Sequence, residues 1–229
     1  MEHEYFFLVE ILRALGLEHF AENYKHVIHS WLIMLFLIVA GYLLVRSLKL
    51  IPGKGQSLVE LIVGGLEDFV VGITGPEGRT FFPYIATIFL YILFSNLIGL
   101  VPGFFSPTAN LNTTLSMALC TFILTHAIGI KHHGFKYIKH FMGPIPLMAP
   151  FMLIIELIGH LARIMSLSIR LFGNIFGKEK VLGIFFALGG LYLLPLPILF
   201  LGVLVSFIQA LVFALLSIVY FTGAMEEAH

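Results

Sequence analysis

The chain has 229 residues, 59% of them hydrophobic and only 11% charged, with 13 Lys+Arg against 13 Asp+Glu, and a mean hydropathy of +1.00. A soluble globular domain would carry about 25% charged residues, so that class is excluded, and the even charge balance gives no electrostatic footing for a nucleic-acid partner. A single cysteine, Cys120, inside an apolar run excludes a disulfide framework and reads as a small core residue. Several apolar runs reach the roughly 20 residues that cross a bilayer as helix, without the alternating blocks of a β-barrel. The expected class is an all-α polytopic membrane protein in a single membrane domain over residues 1–229. About five membrane-embedded helices and one interfacial amphipathic helix are predicted.

Met1-Glu-His-Glu-Tyr lacks the basic region of a cleavable signal, so the whole chain is read as mature. Within residues 1–25, Phe6, Phe7, Val9, Leu12, Leu15 and Leu17 predict a short amphipathic helix on a membrane surface or a partner. Residues 26–145 hold three spans and an interfacial helix. The first span is predicted over Val27–Leu48, ended by Ile51-Pro-Gly-Lys-Gly55. From Ser57 to Ile73, Glu60, Glu67 and Asp68 oppose an apolar side of Leu58, Leu61, Ile62, Leu66, Phe69 and Val70. That segment is too polar to span and reads as interfacial. The second span is predicted over Phe81–Val101, an uncharged loop over 104–112, the third span over Thr113–Ile130, and a basic loop over 131–140.

Lysine and arginine bias sets orientation. Arg46, Lys49 and Lys54 after the first span, and Lys131, Lys136 and Lys139 after the third, mark the cytoplasmic side. The N-terminus is then expected outside, together with the uncharged loop.

Residues 146–229 are predicted as a hairpin. Leu147–Gly177 would be about 46 Å of helix and Pro195–Phe221 about 40 Å, at ~1.5 Å per residue. Both exceed a hydrocarbon core of about 30 Å, so both are expected to tilt or bend, joined by 178–194. Glu156, Arg163 and Arg170 recur every seven residues and share a face with little drift. Ser166 and Asn174 flank Arg170 at four residues, and His160 stands between Glu156 and Arg163. Glu179, nine beyond Arg170, falls about 180° round if the helix continues. On the last helix, Gln209 is the polar side chain long enough to reach across an interface.

Two readings of these residues stay open on spacing alone. Arg170, with Lys178 and Lys180, either snorkels at a helix end or faces a counter-charge. Glu156 with His160 or Arg163 is either a structural ion pair or part of an ion path, and Gln209 either interhelical glue or a path residue. His132, His133 and His140 read as solvated loop residues without a metal-ligand set, and His126 as a core residue rather than a proton carrier. No nucleotide motif and no nucleophile-base pair is found, and no metal or cofactor is expected.

Ser168-Ile-Arg170-Leu-Phe-Gly-Asn174, Glu179 shortly after, Ser206-Phe-Ile-Gln209 in the last helix, and Asn96-Leu-Ile-Gly-Leu-Val-Pro-Gly103 with Asn112-Thr-Thr-Leu-Ser-Met-Ala-Leu119 resemble subunit a of the F-type ATP synthases. The resemblance runs from about residue 26 to the C-terminus. It implies a non-catalytic membrane stator beside a rotating ring of small hairpin subunits, each with a mid-membrane carboxylate. Two offset half-channels would carry ions to and from that ring. Peripheral-stalk b-type subunits and a peripheral ATPase sector are the other implied partners, and a bacterial inner membrane the implied location. Arg170 would face the ring, with Asn174, Glu179 and Gln209 on the ion path and Glu156, His160, Arg163 and Ser166 as secondary path residues. Two positions depart from relatives: Gly202 where some carry a titratable group, and Asn110 where some carry an acid. The resemblance leaves proton and sodium coupling both open; a self-contained secondary transporter is the competing class, disfavoured by the lack of an inverted repeat.

Overall fold

The computed structural model describes residues 23–46, 53–134, 149–189 and 196–225. These form six α-helices: α1 Lys25–Arg46, α2 Lys54–Thr74, α3 Phe82–Ile98, α4 Leu111–His133, α5 Ala149–Gly189 and α6 Leu196–Met225. Short 3-10 turns at Pro76–Thr80 and Pro107–Ala109 join them, and no strand occurs among the described residues. The chain is thus the all-α membrane protein that its composition predicts. By length and composition α1, α4 and α6 can each cross a membrane, and α3 is a shorter apolar helix. The amphipathic segment expected before residue 23, and His140 of the basic loop, lie outside the described residues.

Local chemistry sets the helix ends. The side chain of Asn110 caps α4 by accepting the Asn112 N–H at 2.9 Å. Gly134, at φ 58°, closes the same helix by donating its N–H to the Ile130 carbonyl. Gly75, at φ 73°, ends α2 in the same way on Val71. His132 and His133 therefore belong to the last turn of α4 and not to a loop, which corrects the expectation for them.

Lipid tails are as apolar as leucine, so helices in a membrane associate through close packing and hydrogen bonds rather than a hydrophobic drive. The buried face of α6 fits that rule: Gly202, Ser206, Gln209, Ala210, Phe213, Ala214, Ser217, Ile218 and Phe221 recur at helical period. Against it lies α3, with Ile85 and Ile92 fully buried and Phe81 and Tyr84 packed on Phe221 at 5.6 and 5.7 Å between ring centroids. Next to these, α4 packs against both α5 and α6. Two contacts give the register: Thr114 bonds Ser168 at 3.0 Å and the His126 and His160 rings lie 4.9 Å apart, so α4 and α5 run antiparallel. The outlier is α1, which buries only His29 and Ile33 and is tied to α3 by Ser30 Oγ and Tyr91 Oη at 2.6 Å. Only part of the predicted apolar side of α2 meets the core: Val70 is buried, whereas Leu61 and Ile62 are exposed.

One boundary differs from expectation. Instead of ending at Gly177, α5 runs unbroken to Gly189, 41 residues in all, or about 60 Å. Gly173 and Gly177 weaken a helix by about 1 kcal/mol each relative to Ala. Just beyond them, however, Lys178 and Glu179 are bonded to neighbouring elements, which holds the next turns in register. Residues 178–189 are therefore helix, and α5 is about twice as long as a hydrocarbon core is thick.

Candidate functional site

Two polar clusters lie against α5, one on either side of Arg170 along its axis. In the first, Glu179 Oε1 accepts the backbone N–H of Ser106 at 2.9 Å. Ser106 Oγ donates to the Ser95 carbonyl at 2.7 Å and is 2.8 Å from Thr108 Oγ1, which donates to Asn96 Oδ1 at 2.6 Å. The loop after α3 thus folds inward, and its Ser106 and Thr108 are fully buried. Lys178 Nζ donates to the Asn96 carbonyl at 3.0 Å and Ser206 Oγ at 3.1 Å. Gly99 has no room for a side chain: a Cβ would lie 2.7 Å from Ser106 Cβ and 2.9 Å from Glu179 Oε1. Ser95 Oγ is buried here without a hydrogen-bond partner.

The second cluster lies where α5 meets α4 and α6. Glu156 Oε1 is 3.3 Å from His160 Nε2, and the His160 ring lies against those of His126 and Phe122. Three residues on, the Arg163 guanidinium stacks over the Tyr220 ring of α6 at 5.6 Å. A cavity of about 20 Å³, lined in part by Thr121, Thr125, His160, Arg163 and Tyr220, adjoins them.

Between the clusters Arg170 stands exposed, as do Ser166 and Asn174 on the same face. Its hydrogen bond is to Ser166 Oγ at 3.4 Å, and no carboxylate pairs with it among the described residues. The opposite side of α5 is buried, with Leu167, Ser168, Leu171 and Ile175 at 4% exposure or less. Gln209 sits on the buried face of α6 at 8% exposure, and no hydrogen bond joins it to Arg170 among the described residues. The seven-residue stripe thus differs in its partners: Glu156 meets His160 of its own helix, Arg163, itself exposed, lies over Tyr220 of α6, and Arg170 meets Ser166 of its own helix. Glu179, half a turn round, reaches a different set of partners from Arg170, as the continued helix requires.

Comparison with known proteins decides the family. A model of the family described as "ATP synthase A chain" matches residues 27–222. The chain is 55% identical over its full length, and that of the relative, to ATP synthase subunit a of Desulfosudis oleivorans. It is 51% identical to that of Syntrophobacter fumaroxidans and 52% to that of Geotalea uraniireducens, again with both chains covered in full. The chain belongs to the ATP synthase A chain family.

Several residues of the site carry no periodic signal in the sequence. Lys178 reads there as a helix-end cation, yet the structure bonds it inside the Glu179 cluster. Gly202 allows this: a Cβ at that position would lie 2.6 Å from Leu100 Cδ2 and 3.3 Å from Lys178 Cδ. The lysine stem passes beside the open face of Gly202. Asn110, at the other departure, is the cap of α4. His126, which reads as a core residue, is half-buried and packs against His160.

Proposed function

We propose that the chain is the proton-translocating stator of an F-type ATP synthase membrane sector. The supporting observation is the exposed Arg170 between two separated polar clusters. His160 lies ten residues before it and Glu179 nine after, roughly 14–15 Å along the helix each way. The Glu179 cluster serves one half-channel and the Glu156–His160–Arg163 cluster the other, with Ser166 and Asn174 beside the arginine and Gln209 on the adjoining helix. On this reading an ion crosses from one cluster to the other on a moving partner.

The chemistry of that partner follows from the cost of charge in lipid. A carboxylate travelling through hydrocarbon is protonated, because its ionised form costs several kcal/mol there. On reaching Arg170 it meets a permanent cation, which favours the ionised form. Arginine suits this place because it keeps its charge, whereas a desolvated lysine can neutralise. At about 4 Å and an effective dielectric of ~20 the attraction is about 4 kcal/mol, enough to stabilise the ion transiently without trapping it. The same positive charge repels protons and so blocks a direct leak between the half-channels. Each proton crossing 100 mV releases about 2.3 kcal/mol, and rotation sums several such steps.

The partners on this reading are a ring of carboxylate-bearing hairpin subunits, peripheral-stalk b-type subunits and, indirectly, the ATPase sector. The location is a bacterial inner membrane, with the N-terminus outside and the basic loops cytoplasmic. As continuous helices of 41 and 30 residues, α5 and α6 are too long to stand upright in a core of about 30 Å, which agrees with a tilted hairpin lying along a ring. In inverted vesicles carrying the assembled complex, Arg170→Ala is expected to abolish ATP-driven proton pumping and to raise passive leak. Arg170→Lys is expected to couple poorly. Wild-type pumping by the Ala variant would overturn the assignment.

A further inference from the structure

We propose that His126 and His160 form a two-imidazole proton relay and that His126, on α4, carries protons within the second half-channel. The inference rests on the stator function and assigns a residue to it from another helix. His160 lies within ion-pair distance of Glu156, at 3.3 Å, and Glu156 keeps 40% of its side chain exposed whereas His160 keeps 12%. The carboxylate is therefore the more accessible member of the pair, and the imidazole sits one step inward. His126 meets that imidazole from across the helix interface, at 4.9 Å between ring centroids and an interplanar angle of 68°. The edge of one ring thus meets the face of the other, a spacing that one water can bridge between ring nitrogens, which meets the geometric requirement for proton transfer.

Phe122, one turn before His126, packs against both imidazoles, at 4.2 Å and 5.8 Å. It screens the pair from lipid on that side. His133, seven residues after His126, lies on the same side of α4 about 10 Å nearer its C-terminus, and its Nε2 is buried without a partner. Toward Arg170 the pair gives way to the cavity of about 20 Å³ between His160, Arg163, Thr121, Thr125 and Tyr220. That volume suffices for one water, and the walls supply the polar partners a buried water needs.

Imidazole fits a relay because each ring accepts a proton on one nitrogen and releases another from the second nitrogen. One proton enters at Glu156, one leaves toward the cavity, and both rings return to the neutral form. The fixed charge of Arg163 beside the cavity disfavours two protonated rings at once, so the pair passes protons singly.

Shape and titration can be separated by two substitutions. His126→Phe keeps a ring against Phe122, and His126→Gln keeps hydrogen bonding; neither variant carries a proton near neutral pH. In vesicles stripped of the ATPase sector, passive proton conductance is expected to fall at least about tenfold in both. Co-purification of the ring would remain intact, and adding His160→Phe to His126→Phe would make little further difference. Wild-type conductance in either assembled variant would overturn the relay, and so would a fully multiplicative loss in the double variant. If one variant does not assemble, the other carries the test. Arg170→Ala in vesicles that retain the ATPase sector, read as ATP-driven pumping, keeps the two ideas apart. A coupled Arg170→Ala complex sinks the stator reading. An uncoupled one beside a normally conducting His126 variant sinks the relay alone.

Discussion

Gly99→Ala tests whether the Glu179 cluster works as the half-channel the proposed function requires. The added Cβ would lie 2.7 Å from Ser106 Cβ and 2.9 Å from Glu179 Oε1. Ser106 cannot yield easily, since its hydroxyl bonds the Ser95 carbonyl and Thr108 and its N–H bonds Glu179. Overpacking of this kind costs about 1–3 kcal/mol. Swinging the Glu179 carboxylate away relieves only the contact at 2.9 Å, so the loop at Ser106 must shift as well. Both movements give up the Ser106 N–H to Glu179, a bond to a charged group worth about 1.5–3 kcal/mol. The seated carboxylate would then lose about ten- to hundredfold in population. Passive proton conductance and ATP-driven pumping in vesicles should fall toward the level of Glu179→Gln, with the ring still co-purifying. Gly202→Ala is the milder comparison: its closest clash, at 2.6 Å, is with the end of the Leu100 side chain, which can rotate clear. Lys178 Cδ at 3.3 Å need give only a few tenths of an ångström, so conductance should fall less than in Gly99→Ala. Full conductance by Gly99→Ala, or equal damage from Gly202→Ala, would refute the argument.

Two further outcomes concern stability, read as the thermal midpoint of the detergent-purified complex. Thr108→Val keeps the shape of Thr108 but leaves Asn96 Oδ1 without its donor at 2.6 Å, and should destabilise the loop by about 1–3 kcal/mol; an unchanged midpoint would count against the inward-folded loop. Leu171→Ala removes a side chain 1% exposed on the inner side of α5, and should cost near the lower end of ~2–5 kcal/mol. The lower end applies because lipid offers no transfer penalty to add to the cavity. A loss below about 0.5 kcal/mol would mean that α5 does not pack on α4 and α6 by this face.

What could be read from the chain follows from what periodicity measures. Residues on one helix have fixed angular relations, so the common face of Arg170, Ser166 and Asn174, and the opposite placement of Glu179, were legible from spacing. Span positions were legible too, because length and apolarity constrain each helix separately. Contacts between helices depend on register and rotation, which no single segment encodes. His126 is an imidazole in an apolar run until α4 is set antiparallel to α5; only then does it meet His160. Ser106 acts through its backbone N–H, which side-chain identity does not reveal, and the constraint on Gly99 exists only because that loop folds back. The end of α5 lies beyond the expected Gly177 for a related reason: tertiary bonds to Lys178 and Glu179 hold the helix past Gly173 and Gly177, which weaken it locally.

The treatment of cations within the chain bears most directly on its partner. Arg163 lies over Tyr220, Lys178 donates to Asn96 and Ser206, and Arg79 pairs with Glu67 at 3.1 Å. Arg170 has a hydroxyl of its own helix at 3.4 Å and stands exposed beside exposed Ser166 and Asn174. An arginine facing lipid at mid-helix costs about 2.5–3.5 kcal/mol on insertion scales. One hydroxyl bond, worth about 0.5–1.5 kcal/mol or at most ~3 to a charged group, does not offset that with margin. A carboxylate at about 4 Å supplies roughly the missing amount at an effective dielectric of ~20. It would do so only while it is ionised and in place, so the exposed charge suits a counter-ion that arrives and leaves better than a permanent salt bridge.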